Sequence, residues 1–363
     1  MRRITAAVLA VCLLFLTGCG SKKDGTVQEG MYYEAAGICP DAVLLTVNGR
    51  DITADRFFYW LTYNCDWLEQ SLAGAVDWSE DREGQTLGDY VKAMTLANVT
   101  LYAVVEEWAE TYDVTLSEED RASMEQEYQR LCEACGGEDA YLKVLAAMGA
   151  DKALAQIYSE DIYLYSRLLD LYCTEGSALA PASGELDAWL SASGLQTVAY
   201  LRFGSGATAD LAKQRQQAEA ALARLKAAGD PSAEFAALGQ GDVQYDILTF
   251  SPGESGMGSA FEAAAQALAE GQYSQAPVET DQGVCLLLRQ AVSREQAAAV
   301  CFDQTLRQAA ETAEVECSSA YDSIDVESFC AKMEALRQTG DPAASSGKTA
   351  DAPSSSQEDN GGK

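Results

Sequence analysis

The spacing of apolar residues changes twice along the chain, and this change limits the folds available to it. From about residue 53 to 172, apolar side chains recur every three or four positions, which predicts a series of amphipathic helices. Near residue 195 the pattern changes to short β-rich runs alternating with shorter helical patterns, and after 293 the helical spacing returns. The β-rich runs are 197–203, 244–250 and 283–289. We therefore predict an α+β fold in which a small sheet module is inserted into a mostly helical protein.

The N-terminus has the features of a bacterial export signal. Two arginines precede an apolar run at 4–16 that is too short to span a bilayer, and a small residue stands before Cys19. The sequence Leu-Thr-Gly-Cys at 16–19 resembles the lipobox of lipoproteins, in which the cysteine becomes the lipidated first residue after cleavage. This resemblance implies a protein anchored at the extracytoplasmic face of the cell membrane through Cys19. A secretory signal with an unrelated cysteine is the alternative.

Composition and periodicity together divide the chain into six segments. Both ends are polar and lack the apolar periodicity of a folded domain. The predicted segments are a signal peptide at 1–18, a tether at 19–41, a helical N-terminal domain at 42–194, the sheet module at 195–292, C-terminal helices packing on the helical domain at 293–338, and a disordered tail at 339–363.

The charge and the missing histidine exclude several function classes. The 56 acidic residues against 25 basic ones give a net charge of −31, which repels nucleic-acid phosphates, so we expect no nucleic-acid partner. The chain contains no histidine, which rules out catalytic triads with histidine and imidazole metal ligands. We expect no metal and no cofactor.

The cysteines do not form a recognisable framework. Of eleven, Cys12 lies in the signal and Cys19 at its end, and the other nine have no regular spacing. Cys132 and Cys135 form a CxxC sequence, for which redox or metal chemistry is the alternative to an ordinary helix end. An odd number of thiols leaves at least one unpaired or bridged to another chain.

Residues 246–288 resemble a known enzyme family. The segment Asp-Ile-Leu-Thr-Phe at 246–250 and the Gly-, Pro- and Thr-containing stretch at 251–283 are similar to the second half of a parvulin-type (PpiC, rotamase) peptidyl-prolyl isomerase domain. The helical flanks, with the opening Val-Asn-Gly-Arg-Asp-Ile-Thr at 47–53, are similar to the chaperone region of PrsA- and SurA-like foldases. The resemblance implies an antiparallel sheet wrapped by short helices and a role in folding exported chains.

In that family, apolar side chains form a slot for the proline ring. The resemblance places Met257, Phe261 and Phe250 in the slot, with Leu248 nearby as a further substrate-binding residue. The i, i+4 spacing of Met257 and Phe261 predicts that they lie side by side on one helical face. From spacing alone, a hydrophobic core is the favoured interpretation of all four residues.

The polar half of the site differs from the family pattern. Tyr200 and Cys285 stand where parvulins carry histidines, and they are the candidate catalytic residues by position. A tyrosine hydroxyl donates a hydrogen bond and a thiol donates only weakly, so we predict weak or no isomerase activity. An active isomerase in which Tyr200 orients the slot is the main alternative. Cys285 alternates with apolar neighbours, which indicates a buried thiol rather than a nucleophile.

A group of aromatic residues in the first long helical pattern covers more than one helical face. The group comprises Phe57, Phe58, Tyr59, Trp60, Tyr63 and Trp67. Packing in the core explains most of it, and a groove for unfolded exported polypeptides is the functional interpretation. Homo-oligomerisation stays open. A solute-binding lipoprotein is a further alternative, disfavoured because the first folded stretch is nearly all helical.

Overall fold

The computed structural model of the chain describes residues 24–72, 76–82, 84–182, 184–204, 211–280 and 282–339. These residues form two compact units. The first, called the helical unit, takes in the described residues up to Leu168 and from Leu306 onward, and the second, called the sheet unit, is Leu169–Thr305. The predicted signal peptide, the lipidation site at Cys19 and the predicted tail beyond Thr339 lie outside the described residues. The domain boundaries at 194 and 292 stay predictions.

The fold class is α+β, and the strand pairs found in the described residues are antiparallel. The elements up to residue 173 are α1 (Met31–Ala36), β1 (Val43–Val47), β2 (Arg50–Thr53), α2 (Ala54–Ser71), β3 (Asp81–Arg82), β4 (Gln85–Thr86), α3 (Leu87–Thr111), α4 (Glu118–Cys135), α5 (Glu138–Ala147) and α6 (Lys152–Cys173). Those that follow are α7 (Glu185–Ser193), β5 (Gln196–Phe203), α8 (Leu211–Ala227), α9 (Pro231–Ala237), β6 (Val243–Phe250), α10 (Ser259–Gln266), β7 (Val278–Thr280), β8 (Gly283–Gln290), α11 (Arg294–Glu311), β9 (Val315–Cys317), α12 (Ser319–Asp322) and α13 (Val326–Thr339).

Asn48 and Gly49 form a tight turn that starts a small sheet in the helical unit. Both residues have positive φ, 49° and 81°, a conformation that asparagine and glycine tolerate in hairpin turns. The turn joins β1 to β2, and β9 from the far end of the chain pairs with the other edge of β1. Asn48 strengthens this junction, because its N–H donates to the Glu314 carbonyl at 2.8 Å and its Oδ1 accepts from the Glu314 N–H at 2.8 Å.

Helices from the two ends of the chain share one core in the helical unit. The inner face of α2 buries Phe57, Phe58 and Leu61 completely. The ring of Phe58 stacks on Phe329 of α13, with centroids 5.0 Å apart and planes 15° apart. Full burial of an aromatic side chain stabilises the fold by roughly 1.5–3 kcal/mol, so this core requires the C-terminal helix to be in place.

The folded part of the chain begins before residue 42, within the stretch that composition assigns to the tether. Helix α1 covers Met31–Ala36, and Tyr32 is buried with its hydroxyl donating to the Met148 carbonyl at 2.8 Å. The segment around Tyr32 is rich in acidic residues and glycine, so its average composition does not indicate a folded element. A single well-placed aromatic side chain supplies enough apolar surface to dock a short helix, which a composition average cannot detect.

The sheet unit is built on a four-stranded antiparallel sheet with strand order β6-β5-β8-β7. Side chains alternate across it, as expected for a pleated sheet. Leu201 and Leu286 point to the face covered by α8 and α9, called the α8 face, whereas Tyr200 and Cys285 point to the face covered by α10, called the α10 face. Both faces are thus buried, each under its own helices.

Within the stretches that the structure describes, no helix has both the length and the hydropathy needed to cross a bilayer.

Candidate functional site on the α10 face

The residues that the family resemblance assigns to a slot come together on the α10 face. The sheet supplies Tyr200 from β5, Phe250 from the end of β6 and Cys285 from β8. Met257, from the loop before α10, and Phe261, from α10 itself, close over them. The buried cluster consists of Val198, Tyr200, Phe250, Met257, Phe261, Ala265, Cys285 and Leu287, with Leu248, Ala264, Leu268 and Val278 packed against it while partly exposed.

Met257 reaches the cluster from a loop rather than from a helix. Helix α10 begins at Ser259, and Gly258 precedes it with φ of 86°, a value that favours glycine. The expectation that Met257 and Phe261 share one helical face is therefore wrong, although both side chains join the same cluster. The i, i+4 spacing does not reveal that a glycine N-cap separates the two.

The loop before α10 is held by hydrogen bonds to nearby side chains. The Glu262 carboxylate accepts from the Gly253 N–H at 2.7 Å and from the Ser255 N–H at 3.0 Å. The side-chain amide of Gln282 donates to the Gly256 carbonyl at 2.9 Å. The hydrogen bonds that Glu262 accepts lower the pKa of its carboxyl group, because they stabilise the charged form. Those from Ser255 have the strongest effect. The loop that carries Met257 is thus positioned from both α10 and the β7–β8 turn.

The cluster is filled by its own side chains. Phe261 and Cys285 have no exposed surface, and Phe250, Met257 and Tyr200 are 4%, 5% and 7% exposed. The Tyr200 ring stands perpendicular to the Phe261 ring, with centroids 5.6 Å apart. A proline ring therefore has access to Leu248 and Val278 at the rim, and reaches the interior only if a side chain moves. Met257 is suited to such movement because its unbranched side chain adapts readily.

Tyr200 has an acidic neighbour that the sequence analysis did not select. Asp246 is the cross-strand partner of Tyr200, and its Oδ2 lies 3.5 Å from the tyrosine hydroxyl. Burial, with a smaller effect of the Asp246 charge, raises the pKa of Tyr200. The hydroxyl stays protonated at neutral pH and its nearest carboxylate is at the limit of hydrogen-bond distance. Asp246 would have been identified as a site residue if the register between β5 and β6 had been known.

Cys285 is enclosed by the sheet and its neighbours. Burial raises the pKa of its thiol to about 11, although Thr280 and Arg202 act in the opposite direction. Arg202 is its cross-strand partner and donates to Gln282 at 2.9 Å and to Gln244. A protonated thiol with no exposed surface is neither a nucleophile nor a hydrogen-bond donor available to a ligand.

The aromatic residues of α2 divide into a core set and a surface set. Phe57 and Phe58 are fully buried, whereas Trp60 and Tyr63 are half-buried and Trp67 is 51% exposed. The half-buried rings are in contact with aromatic side chains from α3 and α6. Tyr59 stacks on Tyr158 with centroids 4.3 Å apart, Trp60 stacks on Tyr102 at 5.3 Å, and Tyr63 meets Trp60 edge-on at 5.5 Å.

A buried ionic network lies close to these rings. The Arg56 guanidinium contacts Glu106 at 2.7 Å and Asp161 at 3.2 Å. Burial and then the Glu106 charge raise the pKa of Asp161 to about 8, because two carboxylates share one arginine. The Tyr158 hydroxyl donates to the Arg56 carbonyl at 2.6 Å. The network joins α2, α3 and α6 and fixes the orientation of the aromatic rings.

Other candidate sites are less developed. Cys132 is buried and Cys135 half-buried at the end of α4, and no group of three or more cysteine, aspartate or glutamate side chains able to hold a metal is found in the described stretches.

The sheet unit contains a cavity of about 700 Å³ lined by the 172–182 segment, Leu186 and the start of α11. Its lining mixes small, acidic and basic residues without a convergent polar group.

Solved structures of foldases and chaperones are among those similar to this chain, at low identity. A scan against protein-family models and a search of curated proteins found no match. Among solved structures, PrsA from Bacillus subtilis is 15% identical with a TM-score of 0.29, over 73% of this chain and 93% of that one. The foldase protein PrsA from Streptococcus pneumoniae is 13% identical with a TM-score of 0.29, over 80% and 92%.

A further likeness is to a SurA-like chaperone of Campylobacter jejuni, 15% identical with a TM-score of 0.19, over 84% of this chain and 97% of that one. PrsA- and SurA-like foldases are the proteins whose chaperone region the helical flanks of this chain resemble. At such identities and TM-scores, neither function nor partners follow from the likeness.

Proposed function

We propose that this protein is an extracytoplasmic foldase-type chaperone whose sheet unit contacts proline-containing segments with weak or no isomerase activity. The observation that carries the proposal is the convergence of Phe250, Met257 and Phe261 on the α10 face, beside Tyr200 and Cys285. These residues come from separate elements, and together they reproduce the set that the family resemblance assigns to a proline slot. Leu248 at the rim supplies partly exposed apolar surface.

The chemistry of the site supports little or no turnover. Rotation about an X–Pro bond crosses a barrier of about 20 kcal/mol, and catalysis requires groups that stabilise the twisted amide better than the planar one. The two positions available for such groups hold Cys285, which is fully buried, and Tyr200, a residue that is only 7% exposed. Apolar contact alone binds both states of the amide nearly equally and so does not accelerate the reaction.

Client contact in the helical unit is assigned to the aromatic surface formed by Trp60, Tyr63 and Trp67 on α2. Their rings present apolar area to solvent. Trp67 contributes most of it, because this residue is 51% exposed. Unfolded chains gain free energy by removing apolar side chains from water, at roughly 25 cal/mol per Å². The net charge of −31 keeps the chaperone itself soluble while it holds such surface.

Membrane attachment is assigned to acyl chains on Cys19. The lipobox sequence at 16–19 supports this assignment. Two or more acyl chains hold a protein stably at a membrane, whereas a single chain gives only reversible binding. Replacing Cys19 with serine should release the protein from the membrane fraction and abolish labelling with a radioactive fatty acid. Retention of both in the Cys19→Ser variant would contradict the anchor.

An aggregation assay tests the chaperone function. The purified protein, in stoichiometric excess, should suppress light scattering by guanidinium-denatured citrate synthase on dilution. Trp67→Ala should weaken this suppression severalfold, because it removes the most exposed ring of the aromatic surface. Leu211→Ala is the matched control, since Leu211 is 53% exposed but lies on α8. Absence of suppression by the unaltered protein would refute the chaperone proposal.

A proline-limited refolding assay tests the catalytic part. The unaltered protein should leave the slow refolding phase of a proline-limited substrate unchanged or accelerate it only slightly. Tyr200→Phe should change nothing further. A clear acceleration that Tyr200→Phe or Met257→Ala removes would instead establish an active isomerase.

A further inference from the structure

Two cysteines from opposite ends of the chain meet inside the helical unit. Cys65 on α2 and Cys330 on α13 are 265 positions apart, and their sulfur atoms lie 2.7 Å apart. Both side chains are buried, 3% and 8% exposed. A disulfide requires about 2.05 Å between sulfurs, so a movement of roughly 0.7 Å separates this contact from a covalent bond.

The contact is held by interactions on both sides of it. On one side, the Phe58 and Phe329 rings stack with centroids 5.0 Å apart. On the other, the Arg337 guanidinium binds the Asp66 carboxylate at 2.8 Å and 2.9 Å through two parallel hydrogen bonds. Arg337 also donates to the Ala147 carbonyl at 2.7 Å. These contacts align α13 with α2, so the approach of the sulfurs follows from the packing of the two helices.

A small cavity adjoins the sulfur pair. Its volume is about 10 Å³, enough for one water molecule, and it is lined by both cysteines together with Thr62, Asp66, Glu69, Phe329, Met333 and Arg337. The hydrogen bond from Cys330 and then burial raise the pKa of Cys65, so this thiol reacts slowly in the native protein. Reaction is therefore favoured while the chain folds or when α13 opens locally.

We propose that Cys65 and Cys330 form an intramolecular disulfide that fastens α13 to α2. The oxidant is a disulfide-containing compound or protein of the compartment outside the cytoplasm, reacting by thiol–disulfide exchange. The thiolate of one cysteine attacks this disulfide, which gives a mixed disulfide and releases one thiol. The second cysteine then attacks the protein sulfur of the mixed disulfide and releases the other thiol. Both protein thiols lose their protons, and the oxidant is reduced to two thiols.

The bond would join the two sequence segments of the helical unit on either side of the sheet unit. The chain leaves the helical unit after Leu168 and returns at Leu306, so only non-covalent contacts hold α13 on α2 until the sulfurs are joined. A cross-link over so long a loop removes much of the entropy of the unfolded chain. The proposal does not depend on client binding, and its test is separate from the aggregation assay.

Disulfide mapping tests the proposal directly. The purified full chain is incubated with oxidised glutathione, unfolded in guanidinium with N-ethylmaleimide, digested and analysed by mass spectrometry without reduction. We expect a cross-linked pair of peptides containing Cys65 and Cys330, lighter by two hydrogens than the reduced pair. Alkylation of both cysteines, or a link from either one to a different cysteine, would overturn the proposal.

A thermal measurement adds a second readout. Oxidation should raise the Tm of the helical unit by roughly 5–15 °C, and dithiothreitol should reverse the change. Cys330→Ser should abolish the oxidation-dependent shift, whereas Cys317→Ser, which alters an exposed cysteine, should leave it intact. Because the mapping experiment uses the unaltered protein, it tests the proposal even if the Cys330→Ser variant folds poorly.

Discussion

The two faces of the four-stranded sheet are equally buried but differ in what covers them. The α8 face is covered by the 17-residue helix α8 and by α9, and its core consists mainly of aliphatic side chains around Phe203 and Phe235. The α10 face is covered by an eight-residue helix and the loop that carries Met257. It also contains a hydroxyl at Tyr200 and a thiol at Cys285.

The difference would let one pleated sheet separate stability from the proposed function. Alternation sends neighbouring residues of a strand to opposite faces, so one face can be closed by a long helix while the other has a short helix and a loop as its cover. Apolar side chains remain partly exposed along the rim of the α10 face, at Leu248, Leu268 and Val278. If the α10 face contacts clients, substitutions of its buried residues should lower the free energy of unfolding less than substitutions on the α8 face.

The largest effect is expected on the α8 face. Phe235 is fully buried there, and Phe235→Ala should lower the free energy of unfolding of the sheet unit by about 3–5 kcal/mol through lost burial and a cavity. Guanidinium unfolding followed by tryptophan fluorescence, to which Trp189 contributes from the sheet unit, measures this loss. A loss below about 1 kcal/mol would mean that the α8 face is not the main stabilising core.

A smaller loss is expected on the α10 face. Met257→Ala should cost about 2 kcal/mol, at the low end for such a truncation, because the loop before α10 can relax into the vacated space. The same unfolding experiment, with Phe235→Ala as the comparison, measures it. If Met257→Ala destabilises the protein as much as Phe235→Ala, the α10 face is a rigid core and the comparison between the faces fails.

The reactivity of Cys285 tests how tightly the α10 face is closed. With a pKa of about 11 instead of the usual 8.5–9, the thiolate fraction at pH 8 falls about 100-fold, and lack of exposure slows the reaction further. Labelling by N-ethylmaleimide, quantified by mass spectrometry, should therefore be at least 100-fold slower than in guanidinium. Because the folded pKa is raised, ionisation of Cys285 should also destabilise the fold as pH rises from about 9 toward 11. Rapid labelling at pH 8 would indicate an open, reactive site.

The smallest effect concerns the loop that covers the α10 face. The folded pKa of Glu262 lies below its unfolded value, so its contribution to stability is present above about pH 4.3 and disappears as pH falls through the folded pKa. Glu262→Gln should slightly lower the Tm at pH 7, and the difference from the unaltered protein should shrink as pH falls below about 4.3. Glu254→Gln, in the same loop, is the control. A difference that persists at low pH would show that the carboxylate charge is not what holds the loop.

Sequence patterns predict much of the sheet unit because strand alternation is a local property. The runs at 197–203, 244–250 and 283–289 correspond to β5, β6 and β8 with at most one residue of difference at each end. The same alternation places Cys285 among buried side chains before any contact is known. The cross-strand pairing of Tyr200 with Asp246, in contrast, depends on register, which local patterns do not specify.

Other features depend on distant parts of the chain. Tyr32 lies in a segment of polar composition and is buried because Met148 and α13 meet it in space. Cys65 and Cys330 have no informative spacing, and their sulfurs meet because α2 packs on α13. Met257 lies in the loop before α10 and not in the helix that its i, i+4 spacing to Phe261 predicts. The reason is that Gly258 is the N-cap of α10.

The amino-acid sequence alone determined the α+β class, the acidic charge, the lack of imidazole chemistry and the side of each strand that an apolar residue occupies. These follow from composition and from periodicities of two and 3.6 residues, which the backbone imposes locally. Only the tertiary structure decided that the slot residues form a filled cluster and that two thiols from opposite chain ends touch. Burial and contact between distant residues depend on what the rest of the chain brings alongside them, and no local pattern contains that information.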